Sequence, residues 1–319
     1  VFDTKKDTNE TITQEFTIKV QPRVSTAKTV YVVEGDKPSA EKVEGAVTSG
    51  KDGKVTTPDV SNISTAGKAG QEIKVPVTVT YGADKFKRDE PVEVTVKVLP
   101  KPEPKGVTVL NGTSNEKLID AIRANVNKAI DGLTNVPQGV TPFVTDDAIV
   151  TPKTDQNGQQ TPVTVTVKYR DNATGKVIDD ISVNVEVPVN VVGSTPASKV
   201  VFEGDELTAK DITDAVTPGE KGTKGEPKDL AKDITAKPGV KEVTVPVTYT
   251  DQNGETLTEP VKVKVTVLPK PTPKGIFVAK DSDKEKAKEK ALAKAKEAIA
   301  DGTFKGKLPE NVTSVSIDE

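Results

Sequence analysis

The sequence has no cysteine, histidine, tryptophan or methionine in its 319 residues, and aromatic side chains make up only 3% of it. Without cysteine there is no disulfide, thiolate nucleophile or sulfur metal site. Without imidazole, the Ser-His-Asp and Cys-His arrangements and histidine metal ligands are also excluded, leaving carboxylate, lysine, tyrosine or serine chemistry. The scarcity of aromatics argues against stacking platforms for bases or sugars. Neither sign of charge dominates, with 45 Lys and Arg against 48 Asp and Glu. The two signs are mixed along the chain, which speaks against a nucleic acid or an anionic membrane as partner, because both need a clustered positive field. Nothing resembles a membrane span or a signal peptide, so no membrane insertion is expected of this segment. The missing methionine reads as the mark of an internal piece of a longer chain, since translation starts with one.

What is present is a long internal repeat. Residues 91–106 read Pro-Val-Glu-Val-Thr-Val-Lys-Val-Leu-Pro-Lys-Pro-Glu-Pro-Lys-Gly, and residues 260–275 match them at 12 of 16 positions, at an offset of 169. Self-similarity at a fixed offset is the signature of a repeat architecture. The correspondence extends outward, from Val32, Glu34, Gly35 and Asp36 to Val201, Glu203, Gly204 and Asp205, and from Ala46, Val47 and Thr48 to Ala215, Val216 and Thr217. The period therefore measures a pair of modules, A and B. The expected division is residues 1–24 as the closing part of a B module, 25–104 as A, 105–191 as B, 192–273 as A, and 274–319 as the opening part of another B.

In A, a strand over residues 29–34 leads through Gly35 and Asp36 into a short helix capped by Ser39, or by Thr208 in the second copy. A polar, glycine-rich stretch follows, and then two strands of strict alternation. Ile73, Val75, Val77, Val79 and Tyr81 share one face of the first, and Val92, Val94, Val96 and Val98 one face of the second. Their counterparts are Val243, Val245, Val247 and Tyr249, then Val261, Val263, Val265 and Val267. Such a pattern packs one face on a core and leaves the other in water, as in an antiparallel sheet. Pro76 and Pro246 cannot donate to a ladder, so their strand is expected at a sheet edge or at a switch between sheets.

Module B opens with a strand over residues 106–110 and a helix whose start reads as a capping box, Thr113-x-x-Glu116. Leu118, Ile122, Val126, Ala129, Ile130 and Leu133 form its apolar stripe, and Gly132 suits its end. Two alternating strands complete it, with Val163, Val165, Val167 and Tyr169 on one and Ile181, Val183, Val185 and Val187 on the other. Phe16, Ile18 and Val20 match the second of these. The last module restarts with a strand at Ile276, Phe277 and Val278, a cap at Ser282-x-x-Glu285, and a lysine-alanine helix ending at Asp301 and Gly302.

Each candidate site has a plainer reading beside it. The loops 155–158 and 251–254, both Asp-Gln-Asn-Gly, carry alternate oxygen ligands suited to calcium, yet Asn-Gly is also the preferred hairpin turn and neither loop has the closing bidentate glutamate. The Glu-Gly-Asp triplets at 34–36 and 203–205 pair two carboxylates, or simply flank a glycine turn. The lysine run over residues 284–296 is a basic partner surface or a solvated helix face. A Lys-Asn isopeptide crosslink is conceivable in strands of this composition, though spacing alone identifies none. The proline joints, residues 99–106 and 268–275, favour extended polyproline spacers rising about 3.1 Å per residue. The passage from B to A over residues 187–199 lacks such a joint and is expected to bend first. No catalytic, cofactor-binding or metal residue is assigned, and no cofactor is expected.

The order of a glycine-acid turn (Glu203-Gly-Asp205), a polar loop, the strand Val245-Pro-Val-Thr248, the turn Tyr249-Thr-Asp-Gln-Asn-Gly254 and the alternating strand Val261 to Val267 resembles the Rib-like repeats, of long Rib or YPDG type, of Gram-positive surface proteins. The usual Tyr-Pro-Asp-Gly turn is not intact here, and the first copy has Tyr81-Gly-Ala-Asp84 in its place. The resemblance implies immunoglobulin-like antiparallel β-sandwich modules, alternating with α+β modules that carry one long helix, in a cell-wall-attached extracellular stalk; no catalytic residues carry over. The expected function is a non-enzymatic spacer projecting an adhesive head. The alternative is that the modules themselves bind a host extracellular-matrix protein or glycan. A monomeric rod is expected, with modules of radius of gyration near 12 Å extending roughly 100 Å or more.

Overall fold

The computed structural model describes residue 15 and residues 24–82, 87–280 and 283–318, apart from the side chains of residues 179 and 180. Phe16, Ile18, Val20, Asp84 and Ser282 lie outside these residues. The fold divides into two compact units. Of the described residues, the first holds those through Lys101 with Leu133–Thr141 and Tyr169–Ile181, and the second holds Pro102–Gly132, Pro142–Lys168 and those from Ser182 onward.

In the first unit the elements are β1 (Thr26–Ala27), β2 (Val30–Val33), α1 (Ala40–Gly45), β3 (Val47–Thr48), β4 (Lys54–Val55), β5 (Glu72–Tyr81) and β6 (Arg88–Leu99). β2, β6, β5 and β4 form one sheet in that order, and β1 pairs with β3. The alternating residues all point to the covered face. Val75, Val77, Val79, Tyr81, Val94, Val96 and Val98 are 3% exposed or less, and α1 adds the fully buried Val43. Full burial of each such side chain stabilises by about 1.5–3 kcal/mol, which explains why valine at every second position suffices to specify the hairpin. α1 starts where expected, with the Ser39 hydroxyl accepting from Lys42 N–H at 3.2 Å.

The second unit contains β7 (Val107–Leu110), α2 (Asn115–Asp131), β9 (Gly158–Gln159) and β12 (Val189–Val192). β12 lies between β7 and β9, parallel to the first and antiparallel to the second. A further sheet, ordered β11-β10-β8, joins β8 (Val140–Val144), β10 (Val163–Asp171) and β11 (Val177–Val187), and the division into units cuts across these strands. Next come β13 (Thr195–Pro196), β14 (Lys199–Phe202), α3 (Ala209–Asp214), β15 (Val216–Thr217), β16 (Thr223–Lys224), β17 (Gly239–Thr250) and β18 (Thr256–Leu268). Their sheet order is β14-β18-β17-β16, with β13 paired to β15, which matches β2-β6-β5-β4 and the β1–β3 pair strand for strand. α4 (Lys284–Ala300) and α5 (Gly302–Lys305) follow.

Several expectations need correction. The A sheets are mixed rather than wholly antiparallel, because β2 runs parallel to β6 and β14 parallel to β18. At Pro76 the edge expectation holds locally, because β4 pairs only with Val79 and Thr80 and stops short of it. β17 is not at an edge at Pro246, since β16 and Lys228 flank it, and that proline is tolerated for another reason. Pro246 faces Pro260 across the ladder, where neither is asked to donate, and its carbonyl accepts from Gly225 N–H at 2.8 Å. The cap of α2 is Ser114, not Thr113, whose hydroxyl instead donates to the Leu110 carbonyl at 2.6 Å. Ile276, Phe277 and Val278 form no strand, and Phe277 is 97% exposed. In the earlier B module the matching strand exists by pairing with β12, and four residues without a partner cannot hold a strand alone. Residues 187–199 are not loose either: they contain β12, and Val192 joins the core of the second A sheet.

Candidate functional site

One polar cluster that the fold assembles was in none of the candidate motifs, and it recurs in both A sheets. In the first A sheet, β5 delivers Tyr81 and β6 delivers Glu90, close to Ser25 just ahead of β1. The Ser25 hydroxyl donates to Glu90 Oε2 at 2.6 Å, the Tyr81 hydroxyl donates to the same oxygen at 2.8 Å, and Ser25 N–H reaches Oε1 at 3.1 Å. Gly50 N–H donates to Tyr81 Oη at 3.1 Å. The second sheet repeats the arrangement. Ser194 Oγ donates to Glu259 Oε2 at 2.6 Å, Tyr249 Oη donates to it at 3.1 Å, and Gly219 N–H donates to Tyr249 Oη at 3.2 Å.

A serine, a tyrosine and a glutamate in mutual contact are the residue types left for chemistry in a chain without imidazole, so their electrostatics decide what they can do. Donation by the Ser25 side chain, then by its backbone, then by Tyr81, holds the Glu90 carboxyl below the usual range. Burial, the largest cause, pushes the Tyr249 hydroxyl up. In the first cluster the Glu90 carboxylate, held ionised by three donors, is a poor general base for serine, and in the second the Tyr249 hydroxyl, held protonated, is a poor nucleophile. The group acts as a brace, tying the start of the module to the end of its central hairpin.

The motif residues are placed as follows. Asp251–Gly254 forms the β17–β18 hairpin loop, with Gly254 at φ +81°. Asp251 Oδ1 accepts from Asn253 N–H and Glu255 N–H, each at 2.8 Å, which turns the carboxylate inward. The loop also touches α2 and the residue ahead of β7: Lys128 pairs with Glu255 at 2.8 Å, and Asn253 Nδ2 donates to the Gly106 carbonyl at 3.2 Å. Residues 155–158 are not a hairpin turn: Gly158 enters β9, and Asn157 accepts from Asn111 Nδ2 and donates to the Gly193 carbonyl, both at 2.9 Å. At the Glu-Gly-Asp turns, buried threonines from the polar loops bond the backbone. Thr65 receives Gly35 N–H at 3.0 Å, and Thr235 donates to the Asp205 carbonyl at 2.7 Å. Lys270, at 2.7 Å, and Phe202 N–H hold the Asp205 carboxyl low. α4 buries none of its residues, and Lys294 pairs with Glu297 at 2.6 Å. Among the described residues, no group of three or more acidic side chains is placed to hold a metal.

The sequence reading missed the brace, the threonines and Asn125. Asn125, buried within α2, accepts from Gly106 N–H at 3.0 Å and donates to the Gly106 carbonyl at 2.9 Å. The offset that revealed the repeat could have exposed the brace, since Ser25 and Ser194, and Glu90 and Glu259, stand 169 apart. Asn125 carried no such signal, because the matching position in α4 is Lys294.

No family model matches this chain. The C protein alpha-antigen of Streptococcus agalactiae serotype Ia is 35% identical to it over 209 residues, which is 63% of this chain and 19% of that protein. The chain thus spans about a fifth of the length of that relative. Among solved structures, mouse cadherin-23 EC22-24 shows 13% identity at a TM-score of 0.19, covering 78% of this chain and 100% of that one. The protocadherin gamma B2 extracellular cadherin domains 3-6 show 11% identity at 0.19, covering 77% and 73%. Likenesses at this level carry no weight beside the sheets themselves. No helix among the described residues is long and apolar enough to cross a membrane, which leaves β-barrels untouched.

Proposed function

We propose that this chain is a non-enzymatic, extracellular spacer segment of a Gram-positive cell-wall protein, built from Rib-like A modules (residues 25–104 and 192–273) alternating with α+β B modules (residues 105–191, and parts in 1–24 and 274–319), and that it holds a binding head away from the wall as a monomeric rod. The observation that carries the reading is the repetition itself: two sheets with the same strand order and the same brace, in a chain 35% identical over 209 residues to a streptococcal antigen. Repetition of a structural unit serves reach better than it serves a single chemical site. Small-angle X-ray scattering tests it. An extended particle whose longest dimension is roughly 100 Å or more supports the spacer, and a compact globule contradicts it.

A second reading has the modules themselves binding a host matrix protein or glycan. What favours it is the divergence of the two helices, since α2 and α4 occupy matching places in the period with unlike exposed faces. Saturable binding of this chain to one member of a matrix-protein and glycan array would support it.

A further inference from the structure

In three successive segments, the first four-residue strand, preceded in two of them by the two-residue β1 or β13, lies side by side with and parallel to the strand that releases the chain. β2 pairs with β6 from Val30↔Val96 to Val33↔Leu99, β7 with β12 from Val107↔Val189 to Leu110↔Val192, and β14 with β18 from Lys199↔Val265 to Phe202↔Leu268. Parallel neighbours require a crossover connection, and here that crossover is the whole of the intervening segment. Each ladder is extended at an end by further bonds: Glu34 N–H to the Leu99 carbonyl at 2.8 Å, Asn111 N–H to the Val192 carbonyl at 2.7 Å and Glu203 N–H to the Leu268 carbonyl at 2.7 Å.

This geometry has a mechanical consequence. Tension along the chain pulls the first strand toward its N-terminal end and the last toward its C-terminal end. Because the two are parallel, the pulls oppose each other along the ladder and load every bond together, in shear. Antiparallel terminal strands would be peeled apart one pair at a time. Water must also enter before the ladder breaks, and the releasing strands are buried in all three, but the first strands differ: Val30, Val32 and Val33 of β2 and Val107 and Val109 of β7 are buried, whereas Val200 and Phe202 of β14 are 62% and 46% exposed.

We propose that β2–β6, β7–β12 and β14–β18 are mechanical clamps that keep each segment folded under end-to-end tension, the β14–β18 clamp being the weakest. The inference rests on strand direction within each segment and stands apart from the spacer reading, which scattering tests separately.

Single-molecule force spectroscopy on the full chain decides it, and the absence of native cysteine makes introduced thiols unique handles. The variant Lys28→Cys/Lys101→Cys loads β2–β6 in shear, and Lys28→Cys/Glu93→Cys peels the same strands from the Val30 end. All three positions are exposed. The clamp predicts an unfolding force at least twofold higher for the shear pair at the same pulling speed. Equal forces in the two directions overturn it. The matching variants Ala197→Cys/Lys270→Cys and Ala197→Cys/Lys262→Cys repeat the test on β14–β18, where the shear force should fall below that of β2–β6. Loss of directional dependence there too would overturn the proposal for both copies.

Discussion

The two proline joints are nearly the same in sequence and differ in environment. In the first, Pro100, Pro102 and Gly106 are buried, the Pro100 carbonyl accepts from the buried Tyr169 hydroxyl, and Asn125 closes on both backbone groups of Gly106. In the second, only Pro269 is buried, and Pro271, Pro273 and Gly275 are exposed. The joints share their proline spacing, so polyproline propensity cannot account for the contrast. What differs is the segment that follows. α2 presents Leu118, Ile122 and Val126, all fully buried, and β12 supplies a partner for the strand after the joint. α4 has Ala287, Ala291 and Ala295 at those places, and none of its residues is buried. A linker here takes its structure from the module it leads into.

The largest test removes that difference from the first side. Ile122→Ala should cost about 3 kcal/mol in denaturant unfolding, while Leu292→Ala in α4 should change stability by less than about 0.5 kcal/mol. Next comes the glycine. Gly106 has φ +106°, and a Cβ there would sit 2.8 Å from the Pro188 carbonyl oxygen. Gly106→Ala should therefore destabilise by about 2 kcal/mol, whereas Gly275→Ala, with nothing within 4 Å, should be neutral or slightly stabilising. Tyr169→Phe, which orphans the Pro100 carbonyl, should cost about 1–2 kcal/mol by the same measurement.

The smallest effect concerns pH. Glu90 is held below the usual carboxylate range, so its contribution is present above the unfolded pKa of about 4.3 and is lost as pH falls through the lower folded value. Thermal melting followed by circular dichroism should show a decline over that acid window, and Glu90→Gln should flatten it.

The alternating hairpins were legible because side-chain period two leaves one register that buries every valine, as Val75, Val77 and Val79 show. Ser39 and Thr208 were legible as caps because the spacing to Lys42 and Asp211 is local. The Val-Pro-Val letters do not mark equivalent places in the two copies. Thr78 faces Pro91 while Pro246 faces Pro260, so Pro246 is equivalent to Thr78 and not to Pro76. The strands slip by two positions in motif but not in register, because register follows buried faces rather than matching letters. The β7–β12 pairing was invisible for a different reason: a four-residue strand takes its partner from tertiary context, and its partner lies beyond the whole intervening module. Tyr81 was legible only as a member of the core-facing stripe, and Ser25 and Glu90 carried no local pattern, so the contact among the three appears only once the fold brings them together.

Peptide-level hydrogen–deuterium exchange of the whole chain, comparing residues 102–110 with residues 271–279, tests most directly whether a completed module orders its joint. The account predicts strong protection at Gly106 and Val107, whose N–H groups are bonded to Asn125 and the Pro188 carbonyl, and exchange at the rate of an open chain at Gly275 and Ile276. Equal protection of the two joints would contradict it.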